Sequence, residues 1–195
     1  VPNLPRLRLS SLDPAEPDAE LMDVLAEESR LMPHLHISAQ HGDDLILRRM
    51  KRRHLGRDII RFCDEARRRR PDVAFGADII AGFPTESDAA YQQTMAMIKD
   101  AGISYLHVFP YSPRRSTPAA EMPQLDVAVI KQRASAIREL GKAQLHQHLE
   151  TAIGTTDRML VESGNVGHGK RYFKKNIPKR LTRKSPFFNH FLFKI

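Results

Sequence analysis

The chain has 195 residues, 41% of them apolar and 28% charged, which is enough for one sizeable core plus an appendage. It contains no run of eighteen or more apolar residues, and the opening VPNLPRLRLSS lacks the parts of a signal peptide, so a cytoplasmic protein without a membrane span is expected. The single cysteine, Cys63, excludes an internal disulfide framework and any site built from two thiolates of this chain.

The formal charge of +8 is unevenly placed: residues 1–162 carry −1 and the last 33 residues carry +9. A second basic concentration, eleven Lys and Arg between Arg48 and Arg70, faces only Asp58, Asp64 and Glu65. Such clusters suit an anionic partner such as RNA, or form a solvated helix face.

In chain order, Arg6 to Asp13 alternates like a strand, and Pro14 to Asp18 turns before a helix carrying Leu21, Met22 and Leu25 at helical spacing. His34 to Ala39 is the next strand, followed by the helix DDLILRRMKR with Asp43 or Asp44 as N-cap. A further helix runs from about Arg57 to Arg70 and stops at Pro71; Cys63 lies on it as a buried structural thiol. Val73 to Ala81 is nearly all apolar, as a strand buried on both faces requires. After it come a helix from Ser87 to Ala101, a stop at Gly102 and a strand from Ile103 to Pro110. A loop, YSPRRSTPAAEMPQ, leads to a long amphipathic helix from about Asp126 to Thr151.

Four strand-then-helix units predict an α/β fold with parallel strands, half of a TIM-type barrel, over residues 1–152. Residues 153–169 open a small β domain, and residues 170–195 read as a basic, unstructured tail. Its Lys170, Arg171, Lys174 and Lys175 are the candidate RNA contacts.

Ligands of parallel α/β sheets sit at the carboxyl ends of the strands. Ser38 and Gln40, two apart on an extended strand, share a face and offer a hydroxyl and an amide, with Gly42 allowing close backbone approach. Polar turn and ligand site are both open readings of this corner. Asp78 needs a partner inside its apolar strand, either an Arg or a ligand hydroxyl. Ile80 can lie against a planar ring, and Gly82 allows a tight turn. Phe109 and Tyr111 can stack on an aromatic ring, with Arg114 and Arg115 meeting an anion. His34 and His36 alternate without a cysteine or an evident carboxylate partner, so no metal site is expected, and no catalytic acid or base can be assigned.

Taken together, RLSS, PHLHISAQHGDD, LRRMKRRH, ADIIAGFPTE and LHVFPYSPRRSTPAAEMP, in this order, resemble the radical S-adenosylmethionine methylthiotransferases that modify tRNA beside the anticodon. The likeness covers about Leu4 to Gly167 and is nearest to the branch acting on N6-threonylcarbamoyladenosine at position 37. It implies a partial β/α radical-SAM barrel, S-adenosyl-L-methionine and [4Fe-4S] clusters as cofactors, and the tRNA anticodon region as partner. In that family the cofactor's cleavage yields a radical that takes hydrogen from C2 of the base, and a methylthio group follows. By the same likeness, Ser38 and Gln40 would face the ribose or methionyl part of S-adenosylmethionine and Arg52 its carboxylate. Asp78, Ile80 and Gly82 would lie on the ribose and adenine side, and Phe109 and Tyr111 would border the adenine.

The chain departs from the family in lacking its Cys-x3-Cys-x2-Cys motif and the cysteines of its amino-terminal domain. Its Ser-Leu-Gln-Ser-Gly reads Ser38-Ala39-Gln40-His41-Gly42, and its Arg-x-Gly-Thr reads Arg114-Arg115-Ser116-Thr117. The expectation is therefore the carboxyl-terminal part of such an enzyme, inactive alone and completed by an amino-terminal fragment, ending at the start of a TRAM-like tRNA-binding β domain. A non-catalytic RNA-binding remnant, or an unrelated half-barrel enzyme acting on a phosphorylated metabolite, are the rival readings.

Overall fold

The computed structural model describes residues 4–163, 166–176 and 187–192. Helix α1 (Ala19–Glu27) starts where the Asp18 side chain accepts the Leu21 N–H at 2.9 Å, and it buries Met22 and Leu25. Strand β1 (His34–Gln40) follows, then α2 (Asp44–Arg49), α3 (Gly56–Arg69), β2 (Ala74–Ala81), α4 (Asp88–Asp100) and β3 (Tyr105–Pro110). Asp43 caps α2 and Ser87 caps α4, each accepting a first-turn N–H. A one-turn helix α5 (Pro118–Glu121) precedes the long α6 (Val127–Glu150).

The three strands form a parallel sheet in the order β1-β2-β3. The segment predicted as a first strand, Arg6 to Asp13, makes only two parallel bridges, Leu7 to Leu31 and Leu12 to Ile37. It lies at the sheet edge, where it pairs at its ends rather than along its length. β1, α3, β2, α4, β3 and α6 match the predicted units to within about two residues, whereas α2 stops three residues short of the predicted helix and α5 lies in a stretch read as loop.

The sheet has two unlike faces. Leu35, Ile37, Ala39, Phe75, Ala77, Ile79 and Ala81 point into the core, no more than 2% exposed, and meet Ile59, Phe62 and Cys63 of α3, Met97 and Ile98 of α4, and Ile137 of α6. Each large side chain buried there contributes roughly 1.5–3 kcal/mol. The pairing of His36 with Gly76, Asp78 with His107 and Ile80 with Phe109 sets His36, Asp78, Ile80, His107 and Phe109 on the opposite face. Among the described residues that face is polar and half-open around Asp78, and only the carboxyl end of α6, at His148, approaches it beside Tyr105.

A buried network joins the layers. His41 is fully buried and accepts the Asp43 N–H at Nδ1, so its Nε2–H donates to Glu86 Oε1 at 2.8 Å. Glu86 also accepts the Gly82 N–H and the guanidinium of Arg133 from α6. Burial alone would raise the Glu86 carboxyl, but the hydrogen bonds from His41 and Arg133 outweigh it and hold the group below its ordinary range.

Beyond Gly154 an antiparallel sheet takes the order β6-β5-β4-β7, from β4 (Thr156–Ser163), β5 (Val166–His168), β6 (Lys174–Asn176) and β7 (Phe187–Leu192). Two stretches of the expected unstructured tail are thus strands; residues 177–186 and 193–195 of that tail lie outside the described residues. The entry to this sheet is packed onto the amino end of the first one. Arg8 donates to Gly169 O at 2.8 Å, the Tyr105 hydroxyl donates to Arg171 O at 3.2 Å, and Phe173 is fully buried beside Ala152 and Leu149. Local aromatic contacts, which no helical or alternating period announces, supply the order here.

Candidate functional site at the strand ends

Strand β1 does not end as an undistorted strand. Its register with β2 shifts between Ile37 and Gln40, and Gln40 has a φ of 65°. The reading that Ser38 and Gln40 share one face of an extended strand therefore fails, because the bulge turns Gln40 out of alternation. Ser38 stays half-buried, its N–H given to Leu12 O at 2.8 Å, while Gln40 enters a cavity of about 350 Å³ at the strand ends.

That cavity brings together Gln40, Arg52, Ile80, Tyr111 and Arg114, five of the residues named from sequence, with Phe83 also in its wall. The Tyr111 ring meets Phe83 edge-on, 5.4 Å between centroids, and its hydroxyl is buried without a hydrogen-bond partner. Burial raises this hydroxyl above its ordinary range, so it stays protonated and able to donate. Arg52 is half-buried, with its closest carboxylate, Asp13, 3.9 Å away. Arg49, Lys51 and Arg114 add positive charge around the mouth, which suits an anionic head group.

Asp78, Gly82, Phe109 and Gly42 do not line this cavity. Asp78 lies outside this cavity, held by His36 Nε2 at 3.0 Å and His107 Nδ1 at 3.3 Å on the open face. Gly82 is buried in the turn behind the cavity with φ +77°, and a Cβ there would stand 2.6 Å from Ile130 Cγ1; it serves the turn and the packing of α6. Phe109 is half exposed on the open face, beside Ile80 in register but not in the cavity wall. The close approach at Gly42 is to the α4 backbone, where a Cβ would stand 2.6 Å from Thr94 Cα.

Arg67 to Arg70 are engaged within the molecule: Arg67 with Ala101 O, Arg68 and Arg69 with Glu65, and Arg70 with Leu25 O. The run is therefore committed to contacts within the molecule, Arg67 and Arg70 to carbonyls of neighbouring elements and Arg68 and Arg69 to carboxylates. Lys170 is exposed, and the Arg171 guanidinium lies 4.7 Å over the Phe173 ring. Lys174 and Lys175 lie on β6.

Residues 6–98 match the model of the radical SAM superfamily. A solved structure agrees on the fold: the coproporphyrinogen III oxidase of Escherichia coli, a radical SAM enzyme, superposes with a TM-score of 0.52 at 16% identity, over 97% of this chain and 52% of that one. The chain is 48% identical over 182 residues, 93% of its length, to the threonylcarbamoyladenosine tRNA methylthiotransferase MtaB of Rickettsia prowazekii (strain Madrid E). It is 36% identical over 162 residues, 83% of its length, to the tRNA-2-methylthio-N(6)-dimethylallyladenosine synthase of Neorickettsia sennetsu, and 34% identical over 198 residues, 98% of its length, to that of Ehrlichia chaffeensis. The relatives it matches are thus radical SAM-type tRNA methylthiotransferases, and the chain is similar to them over most of its own length. It spans 43%, 34% and 45% of the lengths of these relatives, so it corresponds to less than half of each.

The residues present do not fit an iron–sulfur cluster. Cys63 is fully buried, and burial pushes its thiol up to about 12, far from the thiolate a cluster needs. They do fit S-adenosylmethionine, for which the unpartnered Tyr111 hydroxyl, the Arg52 guanidinium and the apolar side of Ile80 offer a donor, a cation and a flat wall.

Proposed function

We propose that this chain is the part of a tRNA methylthiotransferase that holds S-adenosylmethionine and faces the RNA, in an enzyme that adds a methylthio group to C2 of N6-threonylcarbamoyladenosine at position 37. The observation that carries the reading is the convergence of Gln40, Arg52, Ile80 and Tyr111 on one cavity at the ends of the strands. The branch is supported by identity: 48% to the threonylcarbamoyladenosine enzyme against 36% and 34% to the dimethylallyladenosine enzymes.

When bound, S-adenosylmethionine supplies the methyl group and the radical-forming group of such a reaction. The residues of this chain bind and orient it. Arg52 and Arg114 would pair with its carboxylate, the Tyr111 hydroxyl would donate to a ribose or ring acceptor, and Gln40 would hold the methionyl arm. Ile80 would lie against the adenine, with Phe109 at its open edge and Ser38 holding the strand end that presents Gln40. Cys63, the single cysteine, is buried and is given no part in holding a cluster, and no residue is assigned as a general base. Its place is the cytoplasm, where tRNA is modified, and among the described residues no helix is long and apolar enough to cross a membrane.

A second reading, a non-catalytic RNA-binding role, is favoured by the +9 charge of the last 33 residues. Equilibrium dialysis of the full chain with labelled S-adenosylmethionine separates the two. Saturable binding weakened roughly 10- to 100-fold by Arg52→Ala, the range expected for a lost charge-assisted hydrogen bond, supports the first reading. Binding indifferent to Arg52 and Tyr111 substitution would leave only the second.

A further inference from the structure

On the open face of the sheet, away from the strand-end cavity, His36, Asp78 and His107 come from three adjacent strands. One ligand atom of each lies within 4.8 Å of the others. We propose that these three side chains form a binding site for a single divalent transition-metal ion, with zinc the simplest occupant.

Both imidazole nitrogens converge on the same carboxylate oxygen, Asp78 Oδ1, at 3.0 Å from His36 Nε2 and 3.3 Å from His107 Nδ1. Zinc bound at about 2.0–2.2 Å to nitrogen and oxygen in tetrahedral geometry sets its ligand atoms about 3.3 Å apart, so an ion fits with small side-chain shifts. Imidazole nitrogen with one carboxylate suits zinc, iron or nickel rather than calcium or magnesium.

Two further observations point to a ligand. First, Gly76 lies beneath the site, and a Cβ there would stand 2.7 Å from His36 Nδ1 and 3.4 Å from His34 Nε2, so a side chain on the central strand would drive His36 from Asp78. Second, His34 is only 7% exposed and its Nε2 has no hydrogen-bond partner, although it lines the same cavity of about 430 Å³ as the three ligands. A buried imidazole nitrogen without a partner is costly unless something else satisfies it. A water on the ion's open position, or the ion itself after a ring rotation, would do so. Three protein ligands leave that position facing the cavity, ready for water or an anionic oxygen of a bound molecule.

The opposing charge in the cavity is Arg8, whose guanidinium is drawn off to Gly169 O, to Lys170 O and over the Tyr172 ring. The site stands apart from the proposed cofactor cavity, which shares no lining residue with it. Its failure would therefore leave the methylthiotransferase reading untouched, and the reverse holds too.

The test uses the full, untagged chain stripped with chelator and desalted. Titration with Co2+ should give visible ligand-field absorption saturating at one equivalent, and Zn2+ should displace it. His107→Ala, which alters a side chain 64% exposed, and the near-isosteric Asp78→Asn should each weaken Co2+ binding at least about tenfold, with circular dichroism unchanged. His146→Ala, at an exposed histidine paired with Glu150 on α6, should bind as the parent does. Absence of ligand-field absorption, or equal binding by the parent and both ligand variants, would overturn the site.

Discussion

His34 and His148 stand in the wall between the parallel sheet and the carboxyl-terminal sheet. The ring of His34 stacks on Tyr172 at 4.7 Å, and that of His148 lies 5.0 Å from Phe173. Burial, reinforced by nearby cationic groups such as Arg8 and Arg171, pushes both imidazoles down to about 4 from the ordinary 6.5. As pH falls, the unfolded chain therefore takes up these protons first. The stability the neutral rings contribute is full above about 6.5 and is lost as pH falls toward 4. Thermal unfolding should show a midpoint that declines through this window, and His34→Phe with His148→Phe should flatten the decline between pH 6.5 and 5. A parent midpoint constant across that range would contradict the account. Glu86, held low by His41 and Arg133, adds to the loss only in more acid solution. Removing Arg133 would leave the buried Glu86 carboxylate without its ion-pair partner, held only by His41 and the Gly82 N–H, a change that costs up to about 3–5 kcal/mol in comparable pairs. None of this is readable from sequence spacing, since His41, Glu86 and Arg133 are far apart in the chain and meet only through the fold.

The β1–α2 corner is the element on which the site depends. Gly42 gives its N–H to Thr94 Oγ1 at 3.0 Å and lies so close to α4 that a Cβ would meet the Thr94 backbone at 2.6 Å. Gly42→Ala should therefore cost about 1–3 kcal/mol by overpacking, measured by urea denaturation, and should loosen S-adenosylmethionine binding by shifting Gln40. A change below about 0.5 kcal/mol, the range of an inert surface substitution, would show that the corner is not held as described. Much of this element was legible. An aspartate cap at Asp43 or Asp44, of which the structure uses Asp43, the strand before it and the apolar run of β2 follow from pattern and turn chemistry. The bulge that re-aims Gln40 was not, because register shifts belong to the pairing of two strands and leave no mark on either one. The same limit hid the meeting of His36, Asp78 and His107: alternation gives a residue's face, but only the register of three strands says who is opposite whom.

At the scale of the molecule, the proposed division of labour gives S-adenosylmethionine the strand-end cavity and RNA the basic carboxyl-terminal region. The carboxyl-terminal basic region was legible as charge, while its packing through Tyr172 and Phe173 was not, since aromatic contacts at a junction have no period. If Lys170, Lys174 and Lys175 contact phosphates, replacing all three by Gln should weaken tRNA binding. Each phosphate contact removed should also reduce the logarithmic salt slope by about 0.9. Equal slopes for parent and variant in an anisotropy titration would assign the RNA surface elsewhere. The central claim is that this chain is the cofactor-binding, substrate-committed part of a threonylcarbamoyladenosine methylthiotransferase. The most direct measurement grafts it in place of the matching 43% of the Rickettsia prowazekii relative and analyses the nucleosides of tRNA from cells lacking that activity by mass spectrometry. The account predicts 2-methylthio-N6-threonylcarbamoyladenosine at position 37, lost with Arg52→Ala. A folded chimera that leaves this nucleoside unmodified, or modifies dimethylallyladenosine instead, while the unaltered relative is active in the same cells, would contradict it.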